Sequence, residues 1–303
     1  MSVFMKSYIE SLVFKPPLRR DVHTREPHLY VYPVDIAESK ENADLLTTLC
    51  LEIYNASGVP CICANPSNGL QPKFWIVYAH GNIENLENVG WFLRELANVF
   101  QCSVFAFEYP GYYSKVDIAS DKQIKPTEAS TFLAAERFTG AIRDRAPVPT
   151  VLLGYSLGTA PTLHAAEVHR KAVNGLQEFP AAVILLAPFV SAASVVLAHN
   201  QWSLNLTPLW QPFDIFCLRH SALVQGHPLL VVVGGQDDVV PPTHGERIYQ
   251  IAGKHGKSSF FVVPEANHAS LRIYENVWKE VARFLEMVLR IPVSLHAAVS
   301  KTD

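Results

Sequence analysis

The stretch VLLGYSLGTAPTLHAA, Val151 to Ala166, opens as an apolar run, turns at Gly154-Tyr155-Ser156-Leu157-Gly158, and resumes with Ala, Leu and His at helical spacings. It reads as strand, tight turn, helix. Two explanations fit a serine set between two glycines there. Glycine tolerates positive φ and serine caps the following helix; or the tight turn holds a hydroxyl out at the end of a strand, where it can act as a nucleophile. The rest of the chain must decide between them.

Outward from that turn, apolar strands alternate with longer amphipathic segments. The strands are FWIVYAHG, CSVFAFEYPG, TVLLGYS, AAVILLAPF, PLLVVVGG and SSFFVVPE. Between and after them lie ENLENVGWFLRELANVF, PTEASTFLAAERFTGAIRDRA, LGTAPTLHAAEVHRKAV, PTHGERIYQIAGKHG and ASLRIYENVWKEVARFLEMVLR, with apolar residues three and four apart. This alternation predicts a mostly parallel twisted sheet with helices on both faces. Upstream, LYVYPVDI, DLLTTLCLEIY and VPCICANP read as short antiparallel strands leading into the sheet. The interval 190–228 is rich in Leu, Trp and Phe without a clean period and reads as a short apolar cap or as cover for the sheet edge. The expected organisation is an extension over 1–28, one domain over 29–290 and a tail over 291–303.

At 303 residues with 49% hydrophobic content, the chain can bury one large core. A formal net charge of −3 and no basic stripe argue against nucleic acid as a partner. The five cysteines, Cys50, Cys61, Cys63, Cys102 and Cys217, lack paired zinc spacings, so reduced thiols and a cytoplasmic setting are expected. No apolar run is long enough to cross a bilayer, and the first residues lack the pattern of a secretory signal.

In an open parallel sheet, ligands bind beyond the carboxyl ends of the strands. The residues there are His80-Gly81-Asn82, Pro110-Gly111-Tyr112, the Ser156 turn, Gly234-Gly235-Gln236-Asp237-Asp238 and Pro264-Glu265-Ala266-Asn267-His268. A serine needs a base near neutral pH, and the base needs an acid to hold its tautomer and stabilise the imidazolium. Ser156, an aspartate of the Asp237-Asp238 pair and His268 supply the three groups on three separate loops. His268 follows the last strand and precedes a long amphipathic helix. His80 sits inside a turn, where a structural hydrogen bond is expected, while His164, His169, His244 and His255 belong to helical segments. Asp237 and Asp238 are neighbours on an extended segment, so one alone should face the histidine.

From roughly Trp75 to Glu286 the chain resembles the α/β-hydrolase serine hydrolases, and within them it is similar to the small-lid branch that includes membrane-associated protein depalmitoylases. The pieces carrying the resemblance are YAHGNIENL, FEYPGYYSK, LLGYSLGTAPTLHAA, PFDIF, HPLLVVVGGQDDVVPPTHGERIY and EANHASL. The resemblance implies the α/β-hydrolase fold, a catalytic set of Ser156, Asp237 and His268, and an oxyanion hole made by the backbone amides of Asn82 and Leu157. The family pattern of aspartate, any residue, then Val selects Asp237 over Asp238. Two departures stand out. Relatives carry Gly-Tyr-Gly-x-Ser where this chain has Gly111-Tyr112-Tyr113-Ser114, a change expected to narrow the site, and the cysteine cluster that opens the depalmitoylases has no counterpart before Cys50.

The expected activity is cleavage of a carboxylic ester or thioester through an acyl-enzyme, with no metal or organic cofactor and with an acyl ester or an acylated protein or peptide as partner. Two alternatives are a serine peptidase of the prolyl-oligopeptidase or aminopeptidase kind and a catalytically silent binding protein on the same scaffold. Val195, Val196, Leu197, Trp202, Leu204, Leu206, Leu209, Trp210 and Phe213 are candidates to line an apolar slot. Residues 1–20 have two readings: a helix packed on the domain, or a peripheral membrane contact made by Phe4, Tyr8, Ile9, Leu12 and Val13 beside Lys15, Arg19 and Arg20.

Overall fold

Alternating side chains of the apolar strands fall onto two faces, and each face has its own helices. The computed structural model describes residues 6–7, 10–11, 13–16, 40–68, 70–112, 125–173, 177–196, 214–216, 226–252, 257–293 and 295. Helix α1 (Lys40–Ser57) leads to β1 (Cys61–Ala64) and β2 (Trp75–Ala79), followed by α2 (Leu86–Phe100), β3 (Ser103–Phe107), α3 (Glu128–Arg143) and β4 (Thr150–Tyr155). A single 3-10 turn, Ser156–Gly158, joins β4 to α4 (Thr159–Val168). There follow β5 (Lys171–Val173), β6 (Gln177–Phe179), β7 (Ala182–Leu186), α5 (Ala192–Val196), β8 (Leu229–Gly234), α6 (Pro242–Ala252), β9 (Ser259–Val263) and α7 (Glu275–Leu289).

Seven strands form one sheet in the order β1-β3-β2-β4-β7-β8-β9. The β1–β3 pairing is antiparallel and every other pairing in this sheet is parallel. Val77, Phe105, Leu152, Leu185 and Val231 point to the face covered by α1, α3, α4 and α6, where they meet Ile53, Phe138, Leu163 and Ile248. Their neighbours Ile76, Val104, Leu153, Ile184 and Val232 point to the other face and pack against Phe92 and Leu93 of α2 and Val281 and Phe284 of α7. This is the mostly parallel sheet with helices on both faces that the alternation predicts, with an antiparallel strand at its start, and it agrees with the α/β-hydrolase fold that the resemblance implies.

Three local expectations are corrected. DLLTTLCLEIY is not a strand but lies within α1, because Leu46, Cys50 and Ile53, four and three apart, are all buried against the sheet. The helix after the serine turn stops at Val168, and Lys171–Val173 pairs with Gln177–Phe179 in a separate two-stranded antiparallel sheet. The cysteines are not all reduced: α1 lies beside β1, which brings Cys50 against Cys63, and the two are disulfide-bonded. Cys61 and Cys102 are free and buried, and burial pushes the Cys61 thiol up to about 12. LYVYPVDI and Cys217 lie outside the described residues, as do residues 197–213 and 217–225 of the proposed cap.

Candidate active site

The turn after β4 explains its two glycines. A Cβ on Gly154 would lie 2.6 Å from the Gly158 carbonyl oxygen and 2.8 Å from Thr159 Cα, and one on Gly158 would lie 2.0 Å from the Ala79 carbonyl oxygen. The two glycines thus let the turn fold on itself and press against the end of β2. Ser156 itself takes φ +51°, the left-handed region that a side chain occupies at a cost of about 1–2 kcal/mol. A plain helix cap needs no such backbone. Ser156 also makes no side-chain cap to α4: its Oγ lies 2.9 Å from His268 Nε2 instead.

His268 Nδ1 lies 2.7 Å from Asp237 Oδ2, and the Asp237 side chain is only 1% exposed. The other oxygen, Oδ1, accepts the amides of Val239 at 3.0 Å and Val240 at 2.7 Å, which orients Oδ2 toward the histidine. Asp238 is exposed. The Ser156, Asp237 and His268 side chains are therefore one hydrogen-bonded chain, assembled from the loops after β4, β8 and β9. Because the Asp237 carboxylate can only accept, His268 Nδ1 carries the hydrogen and Nε2 is free to take the serine proton.

The turn after β2 lies alongside. His80 is fully buried, with Nε2 2.9 Å from Glu108 Oε1 and Nδ1 2.9 Å from the Gly81 carbonyl, so it serves the structural role expected of it. Burial opposes its charge, but the Glu108 carboxylate outweighs that and raises its pKa. Asn82 lines the same cavity as Ser156 and Leu157. Its side chain is held from three sides, a feature that sequence reasoning missed. Oδ1 accepts the Tyr112 hydroxyl at 2.6 Å and the Lys15 amide at 2.8 Å, and Nδ2 donates to the Val13 carbonyl. Phe14 between them is buried edge-on to Tyr112 and Phe216. Among the described residues the amino-terminal segment thus packs on the domain; Phe4, Tyr8, Ile9, Leu12, Arg19 and Arg20 lie outside them, as do Tyr113 and Ser114.

The cavity over Ser156 measures about 580 Å³, within the range of small-molecule sites. Its walls include Val13, Ile83, Phe189, Ala192, Val195 and Val240. Of the slot candidates, Val195 lines it; the side chain of Val196 and all of Leu197, Trp202, Leu204, Leu206, Leu209, Trp210 and Phe213 lie outside the described residues. Among the described residues no group of three His, Cys, Asp or Glu side chains is placed to hold a metal ion, and no helix is long and apolar enough to cross a membrane.

His244 stands behind Asp237 and is 1% exposed, its Nδ1 accepting the Val190 amide at 3.2 Å. Burial pushes its pKa down from 6.5 to about 4, against the pull of the Asp237 charge. Between these values the unfolded chain binds a proton at this residue that the folded chain does not. Stability therefore falls as pH drops from about 6.5 toward 4, with a slope of up to about 1.4 kcal/mol per pH unit from this residue. His164, His169 and His227, also lowered by burial, add the same sign. Denaturant titrations at pH 7 and pH 5 should show a smaller loss for His244→Gln than for the unaltered chain; equal losses would contradict the assignment.

The model of the alpha/beta hydrolase family matches residues 76–284. Among known relatives, the alpha/beta hydrolase domain-containing protein aho-3 of Caenorhabditis elegans is 23% identical over 287 residues, which cover 94% of this chain and 79% of its own length. Alpha/beta hydrolase domain-containing protein 17C of Xenopus tropicalis is 24% identical over 250 residues, 82% of this chain and 72% of its own. Of solved structures, a Thermus thermophilus protein superposes with a TM-score of 0.55 at 19% identity, covering 78% of this chain and 96% of that one. A monoacylglycerol lipase of Paleococcus ferrophilus gives 0.52 at 17% identity, covering 77% and 98%. At these identities the structural likeness speaks for the fold.

Proposed function

The chain belongs to the alpha/beta hydrolase family, and from that premise we propose that it is a serine hydrolase cleaving carboxylic esters or thioesters, with a cysteine-linked acyl group on a protein or peptide as its substrate class. The observation that carries the reading is the hydrogen-bonded series Ser156 Oγ, His268 Nε2, His268 Nδ1 and Asp237 Oδ2, at 2.9 and 2.7 Å, opening into a mostly apolar cavity whose wall also holds Asn82, Glu84, Asn88 and Arg272.

In this reading Ser156 Oγ attacks the acyl carbon as its proton passes to His268 Nε2, and Asp237 stabilises the imidazolium. The oxyanion is met by the amides of Leu157 and Asn82, each such donor contributing about 2.7–4 kcal/mol to the transition state. Collapse breaks the bond to the leaving sulfur or oxygen, which takes the proton from His268 and departs. A water then gives a proton to His268 Nε2 and attacks the acyl-enzyme; the acid leaves and Ser156 recovers its proton. In this reading turnover is carried by side chains and backbone amides, without an added cofactor.

The wall side chains support the acyl half of the substrate. Each buried methylene contributes about 0.8 kcal/mol, roughly fourfold in kcat/KM. Along p-nitrophenyl esters and S-acyl peptides from acetyl to octanoyl, kcat/KM is expected to rise at every step, with aminoacyl and prolyl amides poor substrates. A maximum at acetyl or butyryl would remove the acyl slot, and preferred cleavage of the amides would move the assignment to a serine peptidase.

A further inference from the structure

The amide donor assigned to Asn82 and the base assigned to His268 sit on loops that the sheet does not hold together. They follow β2 and β9, and β4, β7 and β8 lie between those strands. A pair of charged side chains bridges the gap. Glu84 Oε1 accepts Arg272 Nη2, and Arg272 Nη1 donates to the Tyr78 hydroxyl at 2.6 Å. Glu84 Oε2 accepts the Gly81 amide at 2.7 Å, while the Glu84 amide donates to the Gly81 carbonyl at 3.3 Å. The turn carrying Asn82 is thereby closed from both ends by one residue.

Arg272 acts in the same way on the other loop. It lies in the 3-10 turn Leu271–Ile273, its carbonyl accepting Trp278 Nε1 at 2.8 Å, and its guanidinium carbon sits 4.0 Å over the Tyr155 ring. Tyr155 in turn donates its hydroxyl to the His268 carbonyl at 2.8 Å and stacks on the His268 ring, with centroids 5.5 Å apart. Both charged side chains are largely buried, at 16% and 14% exposure. Burying an ion pair is weakly stabilising or worse, because desolvation offsets the attraction, so its presence in the wall of the cavity calls for a role other than stability.

We infer that Glu84 and Arg272 form a latch of two positioning residues, which holds the Asn82 turn and the His268 loop in a single reactive geometry around Ser156. The inference rests on the hydrolase reading above. A displacement of about 1 Å among reacting groups lowers the rate by roughly 100-fold without weakening substrate binding.

The test uses the full chain and a short-chain p-nitrophenyl ester. Glu84→Gln and Arg272→Met, alone and together, are compared with Ser156→Ala as the control on the underlying reading, and thermal melting checks that each is folded. Each single variant is expected to lose about 10- to 100-fold in kcat with KM within about twofold, and the double to be little worse than the poorer single. Millimolar guanidinium should restore several-fold activity to Arg272→Ala and none to Glu84→Gln. If Arg272→Met does not fold, Arg272→Lys keeps the charge without the planar fork and should show a smaller kcat loss of the same kind. Folded singles within threefold of the unaltered kcat, or losses that multiply in the double, overturn the latch. If Ser156→Ala itself retains turnover, the hydrolase reading falls first, so the two failures are told apart.

Discussion

Ser156→Ala is expected to lower ester turnover by about 10⁶-fold, and His268→Ala by a similar factor, while both variants melt within a few degrees of the unaltered chain. In the proposed mechanism the Ser156 hydroxyl is the group that bonds to the acyl carbon, and without His268 its proton has no acceptor at 2.9 Å. Groups acting in one step are not additive, so Ser156→Ala/His268→Ala should be little worse than either single variant. Asp237→Asn keeps the volume but offers an amide to His268 Nδ1 and to the Val239 and Val240 amides, disfavouring the tautomer with Nε2 free. Its loss should be smaller, about 10⁴-fold. Labelling by a fluorophosphonate should disappear with Ser156→Ala. Folded, unaltered protein that fails to label would favour a silent binding scaffold, and near-normal turnover in His268→Ala would remove the base.

Gly158→Ala should act on the fold itself. The added methyl would sit 2.0 Å from the Ala79 carbonyl oxygen and 2.7 Å from that of His80, both backbone atoms at the end of β2 that cannot rotate away. Separating β2 from the turn to ordinary contact distance disturbs the central β2–β4 pairing, where Ala79 lies opposite Gly154. A loss of about 3 kcal/mol or more is expected, roughly 5 °C or more in melting temperature for a chain of this length, or failure to accumulate as soluble protein. Gly58→Ala is the comparison. Gly58, unlike Gly158, has a positive φ, +67°, but its Cβ would meet nothing within 4 Å, so it should lose only about 1 kcal/mol. A Gly158→Ala variant melting within 2 °C of the unaltered chain would show that the turn can yield.

The layered sheet was legible because its strands are apolar on both faces and its helices are not: Val77 and Ile76 are both buried, on opposite sides, whereas α2 buries Leu86, Val89, Phe92, Leu93 and Leu96 and exposes Trp91. Periodicity was misread at DLLTTLCLEIY, where β-branched and aromatic residues mimic a strand and the burial of Leu46, Cys50 and Ile53 settles the helical period. The Cys50–Cys63 pairing was likewise hidden, since spacing along the chain says nothing about which helix lies against which strand.

By itself the sequence determined the strand-turn-helix at Ser156, the alternation behind a parallel sheet, and the loops on which the reactive groups lie, because these follow from local period and from glycines that a tight turn demands. Which atoms meet was decided only by tertiary structure. Asp237, which the family resemblance favoured but the extended segment alone left open against Asp238, faces His268 because two amides orient its carboxylate, and His244 is spent on the Val190 amide. Lys15 and Val13 reach Asn82 across 67 and 69 residues, and Arg272 reaches Glu84 across 188. Pairings at such separations have no period for a sequence to display; they exist because the packed sheet brings distant loops to one edge.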